Sequence, residues 1–239
     1  MKSLIIVIPA HNEEEIIEKN VIQTINFLEK ADLNVSWKII VAENGSQDKT
    51  VELLKNMPKN EHFSYVSLPV RSRSQAIKES WLKTEADYYM FMDADLSTDI
   101  IHIPQLVEGL EKGYDIVIGS RRIAGSKVKR PFLRSSLSSV FHLLMQIIFP
   151  LGVHDFQCGF KAINKKIRDR IIPQIKYADE GFMDTEMLAV AHSQGYKIKE
   201  IPVKWEDSRP SKFKIGKVIY LVLLNSFKIK RDLILGKYK

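Results

Sequence analysis

The chain has 239 residues, with a hydrophobic fraction of 45% and a charged fraction of 27%, enough for one large α/β domain with a substantial core. Its one cysteine, Cys158, excludes an intramolecular disulfide framework and argues for a reducing compartment or indifference to redox. The net charge of +7 points to an anionic partner such as phosphates, nucleic acid or an acidic lipid surface. From residue 208 onward lysines and arginines sit among apolar residues, whereas the amino-terminal half is nearly balanced.

The opening "MKSLIIVIPAHNEEE" has too short an apolar run, met by Pro9 and three glutamates, to read as a secretory leader. "SLIIVIP" is a short β-branched strand, and "EEEIIEKNVIQTINFLEKA" a helix with Ile16, Ile17, Val21, Ile25 and Leu28 on one face. "WKIIVAEN" is the next strand, and "GSQDKTVELLKNM" a turn and helix with Asp48 or Ser46 as cap. "FSYVSLP", "SRSQAIKESWLKT" and "DYYMFMDAD" continue as strand, helix and strand. This alternation implies a mostly parallel sheet covered on both faces, with ligands bound beyond the carboxyl ends of its strands.

Past residue 100 the pattern loosens. "DIVIGSRRI" reads as a strand ending in a basic pair, "SSLSSVFHLLMQIIF" as a long apolar helix, and "VHDFQCGFKAI" as containing a strand. "DTEMLAVAHSQGY" is a helix closed by Gly195, and "KIKEIPVKWED" a last strand. No run reaches the ~18 to 20 uninterrupted apolar residues of a spanning helix, so a soluble or peripheral chain is expected.

Three strand ends carry polar clusters: "PAHNEE", "AENGSQDKT" and "FMDADLSTD". Each has a plain reading. Asn-Gly is turn chemistry, acids at a helix start suit its dipole, and Asp95, Ser97 or Thr98 would serve as a cap. Two carboxylates one residue apart, Asp93 and Asp95, would equally suit one hard divalent cation, which takes oxygen ligands and keeps waters and phosphates in its shell. The ordered coincidence of all three clusters at the sheet edge favours a site. Asp99 falls in the following turn as a capping or solvated acid. His154 and His192 have no partners at metal spacing, and Cys158 reads as a small packed residue.

In order, "IPAHNEEE", "AENGSQDKT", "MDADLSTD" and "IGSRR" resemble the motifs of family-2 glycosyltransferases with the GT-A fold. "DFQCGFKAI" followed by "FMDTEMLAVAHSQGYKIKEIPVKW" is similar to the dolichyl-phosphate glucosyltransferase and mannose synthase branch, closest to the glucosyl type. The likeness runs from Ile5 to about Lys212. It implies that Pro9, His11 and Glu13 line a base and ribose pocket. Glu43 and Asn44 stand where two aspartates usually hold these groups, and Arg73 and Ala94 complete the nucleotide-sugar set. It further implies that Asp93 and Asp95 hold Mg2+ or Mn2+ on the diphosphate. Arg121 and Arg134 would meet the phosphate of a lipid, Arg209 and Lys212 in "SRPSK" would meet phosphates, and Asp184 and Glu186 would lie near the sugar. Three departures stand out: Glu43-Asn44 in place of two aspartates, Ser72-Arg73-Ser74 in place of a glycine-rich segment, and Ser97 where a glutamine is frequent.

The resulting expectation is an α/β GT-A domain over residues 1–205, divided into a nucleotide-sugar half (1–97) and an acceptor half (98–205). A basic, membrane-interfacial tail over 206–239 would follow. The expected reaction is inverting transfer of a hexose from a nucleotide-diphosphate sugar, UDP-glucose favoured over GDP-linked donors, to a polyprenyl or dolichyl phosphate. Asp93, Asp95, Asp184 and Arg121 are the expected catalytic residues. A phosphate acceptor is already ionised, so Asp184 stands equally as a base or as a helix amino-terminal acid. The expected setting is peripheral on the cytoplasmic face of a membrane, without nucleic acid, and with a homo-oligomer or a membrane subunit left open. The rivals are a family-2 transferase acting on a glycan or glycolipid hydroxyl, and a non-catalytic basic membrane- or nucleic-acid-binding protein.

Overall fold

The computed structural model describes residues 1–69, 71–129, 142–178, 181–206 and 215–239, with the side chains of 215–222 left aside. Its centre is a seven-stranded sheet of order β3-β2-β1-β4-β7-β5-β8. β1 (Lys2–Ala10) is buried from Leu4 onward and pairs in parallel with β2 (Val35–Glu43), from Lys2↔Val35 to Ala10↔Glu43. β3 (Phe63–Ser67) extends that side, and β4 (Tyr88–Met92) lies on the other, both parallel. The strands read from short β-branched and aromatic runs are all present.

The helices of the first half follow their apolar spacing. α1 (Ile17–Lys30) buries Ile17, Val21, Thr24, Ile25 and Leu28. α2 (Thr50–Asn56) starts where Asp48 accepts from the backbone N–H of Thr50. α3 (Arg73–Leu82) is capped by Ser72, whose hydroxyl accepts from the N–H of Gln75. Because both faces are covered, β4 divides its side chains. Tyr89 and Phe91 enter a core with Trp81 and Met187, while Tyr88, Met90 and Met92 enter one with Val21 and Leu106.

The second half departs from the linear reading in several places, and β6 (Lys127–Lys129) and α6 (Lys165–Arg170), below, are also not read from the sequence. α4 (Ile103–Glu111) went unpredicted. It follows a 3-10 turn over Ile100–His102 capped by Asp99, and it buries Ile103, Leu106, Val107 and Leu110. Asp99 is therefore a capping acid, as expected. β7 (Phe160–Asn164) occupies only the end of the "VHDFQCGFKAI" stretch. It runs antiparallel between β4 and β5 (Ile116–Ser120), so the sheet is mostly rather than wholly parallel. The single last strand is two: β8 (Ile198–Pro202) joins β5 in the main sheet. β9 (Lys204–Glu206) pairs with β6 (Lys127–Lys129) in a separate two-stranded sheet.

The remaining helices are α5 (residues 142–148), α6 (Lys165–Arg170), α7 (Met183–Ser193) and α8 (Ile215–Ile234). α7 ends as expected at Gly195, whose φ of 78° lets its N–H reach the carbonyl of His192.

Candidate active site

The carboxyl ends of β1, β2 and β4 surround a cleft of about 200 Å3 lined by Pro9, His11, Glu13, Asn44, Arg73, Asp93, Ala94 and Asp95. All eight belong to the nine-residue nucleotide-sugar set that the motifs marked out. The walls are two interlocked turns. Asn12, in the left-handed region at φ 55°, donates its N–H to Ser46 Oγ and accepts from the N–H of Gln47. Glu13 donates its N–H to Thr50 Oγ1, and His11 Nδ1 lies 3.1 Å from the carbonyl oxygen of Asn44.

Glu43, the ninth residue, does something else. Its carboxylate is buried and turned back, accepting from the backbone N–H of Ser46 and the hydroxyl of Ser67. Burial pushes its pKa up, but these bonds outweigh burial and hold it below the usual carboxylate range. Glu43 therefore ties the ends of β2 and β3 to the turn, and it is not among the residues lining the cleft.

On the opposite wall four charges alternate. Arg73 Nε and Nη2 both donate to Asp93 Oδ1, at 3.0 and 2.6 Å, and its Nη1 stands 3.5 Å from Asp184 Oδ2. Lys161 Nζ, fully buried on β7, stands 3.1 Å from Asp184 Oδ1. The Arg73 guanidinium also lies 5.0 Å from the centre of the Phe91 ring. Burial disfavours its charge, yet Asp93 and Asp184 keep its pKa above the ordinary arginine value. Asp184, in the first turn of α7, is thus held between two cations.

Gly159 and Lys161 were missed by the motif reading. A Cβ on Gly159 would lie 1.8 Å from Asp93 Oδ2, so only glycine lets that carboxylate keep its place. The available signals were a glycine at a strand entry and a lysine inside the apolar run "FKAI".

The remaining expected residues are dispersed. Arg121 forms a bidentate pair with buried Asp155, Nε to Oδ2 at 2.7 Å and Nη2 to Oδ1 at 2.8 Å, and its own N–H also donates to Oδ2. Burial opposes both charges, but the pair raises the arginine pKa and brings the Asp155 pKa down to about 2. Glu186, fully buried, points away from the cleft: it accepts from the N–H groups of Lys176 and Tyr177 and from the hydroxyl of Tyr238. Arg134, Arg209 and Lys212 lie outside the described residues. Cys158 is buried, and burial pushes its thiol up to about 12, which leaves it inert as a packed residue. His154 pairs with Glu200 at 2.7 Å, a structural contact. A larger hollow of about 400 Å3 on the flank, between Gln23, Leu96, Ser97, Asp99, Lys127, Lys204 and Trp205, contains none of the nine nucleotide-sugar residues.

The chemistry of the donor set fits a divalent cation. Asp93 and Asp95 both line the cleft, and Asp93 already holds a cationic group on Oδ1. Among the described residues no group of three or more His, Cys, Asp or Glu could enclose a metal. Two carboxylates therefore leave coordination positions for water and phosphate oxygens, the arrangement Mg2+ and Mn2+ favour.

The mostly parallel sheet with an acid-lined cleft at its carboxyl edge has the GT-A architecture. Crystal structures of glucosyl-3-phosphoglycerate synthase from Mycobacterium tuberculosis share the fold. One, solved with Mn2+, UDP-glucose and phosphoglyceric acid, matches with a TM-score of 0.70 at 20% identity, covering 96% of this chain and 79% of that one. The chain belongs to glycosyl transferase family 2, whose sequence model matches residues 5–172. It is 33% identical over 226 residues to a dolichyl-phosphate beta-glucosyltransferase of Trichomonas vaginalis, covering 90% of this chain and 69% of the relative. It is 30% identical over 223 residues to the Dictyostelium discoideum enzyme of the same name, covering 87% and 68%. A further relative is glycosyltransferase AglD of Haloferax volcanii, 31% identical over 210 residues, of which the chain spans 34%.

Proposed function

We propose that this glycosyltransferase passes glucose from UDP-glucose to a polyprenyl or dolichyl phosphate, inverting the anomeric centre to leave a β-linked lipid-phosphate sugar. The observation that carries the reading is the name shared by relatives aligned over nearly nine-tenths of the chain, together with a cleft built from the expected residues. The nucleotide would lie between the interlocked turns beside His11, Glu13 and Asn44. Asp93 and Asp95 would hold Mg2+ or Mn2+, which when bound offsets the charge developing on the leaving diphosphate. Arg73, already in the cleft, supplies a second cation toward the same oxygens.

An ionised phosphate acceptor attacks without surrendering a proton, so no general base is required. The position of Asp184 agrees with this, since each of its oxygens faces a cation rather than open cleft. Arg121, with Arg134, Arg209 and Lys212 from the sequence reading, remains the proposed set for the acceptor phosphate, and the site would work at a membrane surface. A screen of labelled nucleotide sugars with membrane lipid extract, followed by mild acid hydrolysis, tests the reading. An acid-labile lipid product from UDP-glucose, abolished by EDTA and restored by Mn2+, is expected. An acid-stable glycoside, or full activity in EDTA, would overturn it.

A further inference from the structure

Lys161, Asp184, Arg73 and Asp93 form an unbroken row of alternating charges, and its two halves differ. Lys161 is fully buried and the Asp184 side chain is 6% exposed, whereas the side chains of Arg73 and Asp93 are 37% and 38% exposed at the cleft. Lys161 Nζ also donates to the carbonyl of Cys158, which fixes the buried half. The Arg73 guanidinium is shared between two carboxylates. It makes two hydrogen bonds to Asp93 Oδ1, while its Nη1, 3.5 Å from Asp184 Oδ2, stands at the limit of one. A small swing toward Asp184 completes that second contact.

Asp93 Oδ1 is therefore already taken by a cationic group, and Oδ2 packs against Gly159. Arg73 in this position competes with a divalent cation for the same carboxylate, because two positive groups on one oxygen repel each other strongly in a half-buried site. The charge balance points the same way. Asp93, Asp95 and Asp184 outnumber Arg73 and Lys161 by one, so the site is slightly negative. A divalent cation alone would reverse that sign, whereas a cation arriving with a doubly charged diphosphate preserves it. A diphosphate is also a ligand able to draw the arginine off Asp93, since its paired oxygens match the guanidinium fork.

We propose that Arg73 moves between two berths, Asp93 and Asp184, and that this move makes cation binding depend on the nucleotide. On Asp93, Arg73 holds a divalent cation off. Turned toward Asp184 and the diphosphate, it releases Asp93 Oδ1 beside Asp95. Asp184 is then a positioning residue, its charge held in place by Lys161. The Phe91 ring supports the row, 5.0 Å from the guanidinium and 5.6 Å from Lys161 Nζ. This role for Arg73 rests on the proposed donor being a nucleotide diphosphate, and adds to it a coupling free energy between donor and cation that one side chain carries.

Mn2+ binding, read by electron paramagnetic resonance of the free ion with and without UDP, tests the coupling. The full chain is compared with Arg73→Met and with a Lys161→Met/Asp184→Asn double variant, which removes the second berth without changing the net charge. Melting curves check folding, and Arg73→Gln replaces Arg73→Met if the latter does not fold. Wild type is expected to bind Mn2+ about tenfold or more tightly with UDP than alone. Arg73→Met should bind Mn2+ alone about tenfold more tightly than wild type and lose most of the UDP dependence. The double variant should bind Mn2+ alone several-fold more weakly than wild type, and adding Arg73→Met to it should restore the affinity. A general field effect would instead leave the double variant at the wild-type value, which would overturn the two-berth reading. Unchanged or weaker Mn2+ binding by Arg73→Met, or coupling that persists in it, would overturn the role of Arg73 and leave the donor standing. Wild type that binds neither UDP nor Mn2+ would overturn the donor, and the role of Arg73 with it.

Discussion

Asp93 keeps its place because residue 159 has no side chain: a methyl group there would meet Asp93 Oδ2 at 1.8 Å. Misplacing a positioned group by about 1 Å can cost roughly 100-fold in rate. Gly159→Ala is therefore expected to lower kcat/KM about 100-fold with the fold intact, measured by sugar-transfer kinetics beside a melting curve. Asp184 raises a stability question instead. Removing it leaves the fully buried Lys161 ammonium without its counter-charge, a loss of about 3–5 kcal/mol for a broken buried pair. Urea unfolding should show that loss for Asp184→Ala and substantial recovery when Lys161→Met is added. Equal losses in the single and double variants would show that the pair is not coupled.

At the scale of elements, α7 carries two acids that the motif treats alike and the fold separates. Asp184 faces Arg73 and Lys161, while Glu186 faces the 176–177 backbone and Tyr238. No spacing rule distinguishes them, because the direction of each depends on what packs against that turn of the helix. Arg121 illustrates the same limit. Its position after β5 was legible, but its partner Asp155 lies 34 residues away. That pair has a measurable signature. The folded Asp155 pKa of about 2 lies below the unfolded value, so the unfolded chain binds more protons in that interval and stability falls as pH drops from about 4 toward 2. The loss should be on the order of 2 kcal/mol, and Asp155→Asn should flatten that part of the urea-unfolding profile. α4 went unread because it is short and its start is marked only by Asp99 and a 3-10 turn.

Across the whole molecule, the cleft occupies one edge of the sheet, at the carboxyl ends of β1, β2 and β4. The cation belongs to this scale, because two carboxylates leave most of a coordination shell to water and to the phosphate oxygens of a nucleotide. UDP and Mn2+ together should raise the melting temperature more than the sum of their separate shifts, and Asp93→Asn or Asp95→Asn should remove that excess. Additive shifts would indicate that the nucleotide and the metal bind independently.

Local pattern by itself determined the β1 to β4 half of the protein. Short β-branched runs, a 3.6-residue apolar period and turn residues act within a few positions, and parallel order then delivers "PAHNEE", "AENGSQDKT" and "DAD" to one edge. Seven of the nine nucleotide-sugar residues line the cleft for that reason, and Arg73 joins them from the start of α3. Only the tertiary structure decided the reversed β7, the division of the last strand between two sheets, Glu43 turning inward and Lys161 reaching Asp184. Each depends on a partner distant in sequence, and a buried charge takes the direction of its nearest counter-charge or donor, which no local pattern specifies.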